Sequence, residues 1–316
     1  MTMCQTIRTT TALFLVLLPL AGCQGDGGGA ATDEDTHSLE AVMLKQTGRQ
    51  CGTTAPTEAQ ERAADDQASA RLRAAAPLLL PTEVRVPVAV HVINIGSTRA
   101  LGNVSDVVIG RQMAVLNQAY RGEELAGGTA TAFQFDVVSI DRTTNPRWFA
   151  MTPDSPAEAE AKAALHTGDA QTLNLFIAGP GEQLLGWATF PEDYAAQPAN
   201  DGVVVLHSTL PGGAAEPYAA GDTAVHEVGH WLGLLHTFQG GCGARGDSVA
   251  DTAREAGPAA GCPRGRDTCV NFAGLDPVTN FMDYSDDACM VTFTPGQSDR
   301  MSTRYLAFRS PETTLQ

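Results

Sequence analysis

Three of the chain's seven histidines fall in one short run, HEVGHWLGLLH, spanning residues 226–236. His226 and His230 are four residues apart, so on a helix they share one face about one turn apart. Two imidazoles so placed can hold one metal ion, most often zinc. Glu227 lies beside them, within reach of a water on the metal without being a ligand itself. His236 can join the pair only if the helix stops first. Ten more residues of helix would carry it roughly 15 Å along the axis and turn it about 80° away. Gly233 supplies the stop, because glycine readily takes the left-handed conformation that ends helices. The spacing therefore predicts a helix broken at Gly233 and three neutral histidines on one Zn2+, with a fourth position left open for water and Glu227 as the catalytic acid/base.

The run fits the HExxHxxGxxH pattern of the metzincins. Downstream, NFMDYSDDACMVTFTPGQSDRM (residues 280–301) places Met282 where that group has its Met-turn, a methionine floor beneath the histidines. With GCGARGDSVADT (residues 241–252) and GCPRGRDTC (residues 261–269), the chain resembles the pappalysin family of metzincin zinc metalloproteases, specifically over about residues 220–305. That resemblance implies a metzincin-type α/β (α+β) fold, with a twisted mixed sheet, an active-site helix and an irregular lower subdomain. It implies the bridges Cys242–Cys269 and Cys262–Cys289, and calcium in the loop after the third histidine. There Asp247, Asp251 and Thr252 offer the oxygen ligands that Ca2+ favours. The expected activity is zinc-dependent endopeptidase cleavage of protein or peptide substrates, with Tyr284 stabilising the tetrahedral intermediate. Met290, placed by this reading near the S1′ pocket, is not acidic, which argues against a strict preference for a basic residue after the cut.

At the N-terminus, Arg8 precedes the apolar run ALFLVLLPL (residues 12–20), which ends in LAGC at Cys23. The run is too short to span a bilayer and resembles a bacterial lipoprotein signal, so residues 1–22 are expected to be removed and Cys23 lipidated. The product is an exported cell-envelope lipoprotein or secreted protein, touching a membrane only through its lipid anchor. Residues 23–80 read as a tether and pro-segment, and residues 81–316 as the catalytic domain. The pro-segment has short helical patches without a sustained apolar face, and an exposed cleavage region near Arg71 and Arg73.

Export permits disulfides. Cys4 leaves with the signal and Cys23 carries lipid. Cys242, Cys262, Cys269 and Cys289 can form two bridges in three connectivities, which leaves Cys51 unpaired. Metzincin precursors often silence their zinc with a pro-segment thiolate, a strong zinc ligand. By that resemblance Cys51 is expected to be the fourth zinc ligand of a latent precursor, with Gly52 permitting close approach to the cleft.

Strands alternate with helices from Val84 onward, as a layered α/β arrangement requires. VRVPVAVHVIN (residues 84–94), AFQFDVVSI (residues 132–140), LNLFIA (residues 173–178) and GVVVLH (residues 202–207) read as strands. Pro87 favours a strand beginning or edge. Ser105 caps a helix carrying Val108, Ile109, Met113, Leu116 and Tyr120. LLGWATFP (residues 184–191) reads equally as an edge strand able to bind an extended peptide or as a hydrophobic loop. The formal charge of −16, with Lys45 and Lys162 the only lysines, excludes a nucleic-acid partner. The competing function is a lipid-anchored binding or adhesion module with a non-catalytic zinc; such a site would have four protein ligands and no need of Glu227.

Overall fold

The computed structural model describes residues 50–74, 81–181, 183–243 and 245–310. The export signal, Cys23 and the acidic tether lie outside them.

Five strands form one sheet in the order β2-β1-β3-β5-β4. They are β1 (Val84–Asn94), β2 (Phe133–Thr144), β3 (Leu173–Ala178), β4 (Gly186–Ala188) and β5 (Val203–Leu206). All neighbours are parallel except β4, which runs antiparallel to β5 at one edge. LLGWATFP is thus resolved as an edge strand. Pro87 sits inside β1, where it faces only β2, because the pairing with β3 begins at Val88. The absent N–H therefore costs no ladder bond. One residue later the β1–β2 register skips Val138, a bulge on the outer strand.

The helices are α1 (Glu58–Ala74), α2 (Asp106–Tyr120), the short α3 (Pro146–Phe149), α4 (Pro156–Leu165), α5 (Asp222–Trp231) and α6 (Pro295–Phe308). Ser105 caps α2 as expected, accepting from the Val108 amide. Period-two alternation divides the strand residues between two cores. Val86, Val88, Val90 and Val92 of β1 join Leu173, Leu175 and Ile177 of β3 against Ile109, Leu116 and Tyr120 of α2 and Val225 and Val228 of α5. On the other face Ile93, Phe176 and Val204 meet Ala161 of α4 and Trp187 of β4. Burying helices on both faces holds α5 rigidly beneath the edge strand, and that pairing positions the site.

Among its described residues the lower subdomain, 232–294, has no long helix or strand, and it is bonded through Cys242–Cys269 and Cys262–Cys289. Those are the pairings the resemblance implied. No described helix is long and apolar enough to cross a membrane.

The segment before the catalytic sheet differs from the sequence expectation. Residues 58–74 form a single helix of 17 residues, not patches. It docks through small side chains and charge instead of an apolar stripe. Ala68 packs with Ala307 and Phe308 of α6, while Glu61 is 4% exposed. Arg71 is not freely exposed either: its Nη1 donates to the Ala307 carbonyl at 2.9 Å and its guanidinium lies 4.9 Å over the Phe308 ring. Of the two arginines expected at a cleavage region, Arg73 alone faces solvent.

Candidate active site

Helix α5 ends where the sequence requires. Gly233 has φ +96°, and a Cβ there would lie 2.7 Å from Arg304 Cγ, so both conformation and space demand glycine. The chain turns back and brings His236 to the other two histidines. The Nε2 of His230 lies 3.2 Å from that of His226 and 3.0 Å from that of His236.

The tautomers follow from the outer nitrogens. His226 Nδ1 donates to the Phe281 carbonyl at 2.7 Å, and His230 Nδ1 donates to the Leu234 carbonyl at 2.8 Å. A nitrogen facing a carbonyl carries the proton, so these Nε2 atoms present lone pairs to one another. Lone pairs at such separations repel unless a cation lies between them. Burial lowers the His230 pKa to about 4, against the pull of the Leu234 carbonyl, and burial beside His230 drives His236 well down too. Neutral histidines with converging lone pairs are what a metal requires. Zinc fits this donor set.

Met282 and its turn hold the arrangement from below. A Cβ on Gly229 would lie 2.4 Å from the Met282 sulfur, so the HEVGH turn rests directly on that side chain. The turn also supplies the Phe281 carbonyl to His226, and the Met282 carbonyl accepts from the Thr237 amide at 3.1 Å. Tyr284 packs at ring-centroid distances of 5.8 Å from His226 and 5.0 Å from His236. Burial, with Cys51 and Glu227 adjacent, pushes its hydroxyl pKa upward.

Cys51 completes the cluster. Its sulfur and one nitrogen from each histidine lie within 4.8 Å of one another. Gln50 and Gly52 reach it along the outer edge of β4: the Leu185 amide donates to the Gln50 carbonyl at 2.9 Å and the Gly52 amide to the Gly186 carbonyl at 2.8 Å. The added segment runs parallel to β4. A Cβ on Gly52 would meet Pro153 Cγ at 2.9 Å, which accounts for the glycine. Burial and the Glu227 carboxylate push the thiol pKa well up.

The chain is similar to proteins of known kind. A family model described as Peptidase_M43, pregnancy-associated plasma protein-A, matches residues 185–305. An extracellular metalloprotease of Pyricularia oryzae is 40% identical over 86% of this chain and 94% of its own length. One from Colletotrichum graminicola is 41% identical over 86% of this chain and 96% of its own. The chain belongs to the pappalysin family. It is a secreted zinc metalloendopeptidase with a metzincin-type fold. Among solved structures, a Tannerella forsythia promirolysin mutant superposes with TM-score 0.67 and 28% identity, covering 83% of this chain and 95% of its own. Mature mirolysin with a cleaved peptide gives 0.59 and 30%, covering 72% of this chain and 99% of its own.

Other residues singled out in this pappalysin sequence fall in three places. Asp247 and Thr252 are buried, and Asp247 Oδ2 and Thr252 Oγ1 have no hydrogen-bond partner there. Burial, against the bond from the Val249 amide, raises Asp247 to about 7. Asp251 is drawn elsewhere: its carboxylate accepts from Thr294 Oγ1 at 2.7 Å and the Gly296 amide at 2.8 Å, tying down the start of α6. Met290 is 1% exposed within the main core, so it offers no pocket wall.

Sequence reasoning missed three participants. Thr53 donates to Glu227 Oε2 at 3.0 Å and accepts from the Ala188 amide at 2.9 Å, bridging the glutamate to the edge strand. No local pattern marks such a threonine. Gly186 lets Glu227 lie against β4, since a Cβ there would sit 2.9 Å from Glu227 Cγ. Asp201 accepts from Trp231 Nε1, Thr189 Oγ1 and both terminal nitrogens of Arg309, joining the end of α5 to the edge segment and the end of α6.

Proposed function

We propose that the chain is made as a latent precursor in which residues 23–80 close the catalytic centre of residues 81–316, with Cys51 as the fourth zinc ligand until that segment is removed. The observation that carries this reading is the Cys51 sulfur among the three histidines, on backbone pinned at both neighbours to β4. Mirolysin, known in a precursor and a mature form, supports it: the precursor covers 83% of this chain and the mature form 72%.

His226, His230 and His236 would hold the zinc, which when bound supplies Lewis acidity at the scissile carbonyl. Glu227, buried at the base of the cleft, takes a proton from the attacking water and passes it to the leaving amine. The Tyr284 hydroxyl, kept protonated, donates to the developing oxyanion. The outer edge of β4 orients an extended peptide by main-chain hydrogen bonds. Thr53 meanwhile occupies both the Ala188 amide and the Glu227 carboxylate, so the segment blocks binding and proton transfer at once.

The test uses the full chain. Cys51→Ala should hydrolyse a casein-like substrate without prior processing, whereas wild type stays latent and Cys51→Ala combined with Glu227→Ala is inert. Chelation should abolish turnover. A Cys51→Ala precursor as latent as wild type would overturn the switch.

Two further readings belong here. Asp247 and Thr252, with neighbouring carbonyls, form a Ca2+ site, a reading supported by their buried oxygens without hydrogen-bond partners. Cys23 carries the lipid of a cell-envelope form; metabolic palmitate labelling of wild type, lost in Cys23→Ser, would test it.

A further inference from the structure

The pro-segment helix carries an acidic face that the thiol switch does not explain. Glu61 and Asp65, four residues apart on α1, face Arg300 and Arg304, four apart on α6. Glu61 Oε1 pairs with Arg300 and with Arg304 Nη2, the latter at 2.7 Å. Asp65 Oδ1 accepts from the same Arg304 nitrogen at 2.8 Å and from Arg300 at 3.3 Å. Its other oxygen accepts from Arg245 of the lower subdomain at 2.6 Å.

The arginines are built into the body. Arg304 is 1% exposed and its stem lies on Gly233. Arg300 Nε donates to the Gly233 carbonyl at 2.8 Å. Both thus brace the turn that delivers His236. On the body, Glu192 is the carboxylate nearest Arg304, at 3.6 Å, and burial raises its pKa against the pull of that arginine. When α1 departs, two anchored guanidinium groups lose the carboxylates they were built around, and such a site favours recapture of an acidic helix.

We propose that Arg245, Arg300 and Arg304 form a docking surface for an acidic helical peptide, and that residues 50–74 bind it in trans after cleavage, as a dissociable inhibitor of the mature enzyme. This rests on the reading of residues 23–80 as an inhibitory segment. Docking along α6 sets the concentration of the thiol at the zinc, so two weak attachments act as one strong one.

The experiment keeps the enzyme unaltered at the docking face. Residues 75–80 of the full chain are replaced by the recognition sequence of a site-specific protease, the chain is cut, and the freed segment is removed at high salt. Synthetic peptide 50–74 is then titrated against turnover. Wild-type peptide should inhibit, less strongly as salt rises from about 0.05 to 0.5 M, since screening weakens the partly exposed pairs. Peptide carrying Glu61→Gln and Asp65→Asn keeps Cys51 and similar shape, yet should bind at least about 30-fold more weakly, the usual effect of truncating a buried charge pair. Binding of the doubly amidated peptide within about threefold of wild type would overturn the docking surface. A Cys51→Ala peptide separates the two ideas. If it inhibits as well as wild type while the amidated peptide fails, the thiol reading falls and the surface stands. If it alone fails, the surface falls.

Discussion

Replacing Gly233 with alanine tests the reasoning that joins the zinc motif to the fold. The residue sits at φ +96°, which costs an L-amino acid about 1–2 kcal/mol. The new Cβ would also stand 2.7 Å from Arg304 Cγ and 2.9 Å from Arg304 Cβ. These are stem atoms of a buried side chain whose head pairs with Glu61 and Asp65, so the arginine cannot swing into solvent. Displacing it adds roughly 1–3 kcal/mol, part of the cost of breaking a buried ion pair. The sum, about 2–5 kcal/mol, corresponds to a fall in Tm of roughly 5–15 °C for a domain of this size. Because the same turn delivers His236, bound zinc should drop with it. Thermal unfolding and zinc content are measured in a Glu227→Ala background, which prevents self-digestion. Gly110 is the control: it lies within α2 and an added Cβ there meets nothing within 4 Å. Gly110→Ala should therefore stabilise the protein by about 0.5–1 kcal/mol. A Gly233→Ala protein with unchanged Tm and one zinc per chain would refute the argument.

Thr53→Val removes two hydrogen bonds that, on the proposed latent-precursor reading, hold the cleft shut; together they are worth roughly 2 kcal/mol, so basal turnover of the full chain should rise about 30-fold with Cys51 intact, and an unchanged turnover would contradict the bridge. Asp201→Asn leaves Arg309 as a buried, uncompensated charge and should cost about 3–5 kcal/mol, read as a lowered denaturant midpoint at constant m-value. Burial opposes the charged form of Asp201, yet the Arg309 charge and the bonds from Arg309, Thr189 and Trp231 outweigh it and lower its pKa. Its stabilising contribution is therefore complete above about pH 4 and lost as pH falls through the lowered value, so Asp201→Asn should flatten the acid limb of the stability curve. Millimolar Ca2+ should raise Tm in wild type and in Asp251→Ala but not in Asp247→Asn; equal responses in all three would remove the calcium site.

The catalytic helix, the turn at Gly233, the histidines and the sheet strands were legible because each is written in a local period or a fixed offset. Cys51 stood out by a different route: the sequence assigned each other cysteine to a bridge, a lipid or the cleaved signal, and the structure brings the sulfur of the one left over to the three histidines. The bonds of Asp251 were not legible, because acidity in a loop says nothing of direction; its carboxylate accepts from Thr294 and the Gly296 amide at the start of α6. Met290 misled because adjacency to a cysteine in sequence does not keep a large apolar side chain out of the core. Helix α1 was underrated because its contact surface is alanine and charge, which give no hydrophobic stripe. Its partner spacing was nevertheless present. Glu61 and Asp65 are four apart, as are Arg300 and Arg304, and two helices with such pairs can match turn for turn.

The site as a whole depends on a feature that no window of sequence contains. Glu227 must lie close to the edge strand if one peptide is to contact both. At that contact the strand carries Gly186, where any side chain would strike Glu227 Cγ at 2.9 Å and the Val204 carbonyl at 2.7 Å. The same bare stretch of backbone accepts Gly52, itself lacking a side chain because Pro153 stands where its Cβ would be. Two glycines from segments far apart in sequence thus let two backbones and one carboxylate meet at a single point. If β4 orients the substrate, as proposed above, residues 50–52 hold the place it needs, and they run parallel to β4. On that reading a peptide to be cut would take the opposite direction, antiparallel to β4. The parallel run brings a thiol, not a scissile carbonyl, to the three histidines, and on that reading the strand that orients substrates would also hold the enzyme's own chain without cleaving it.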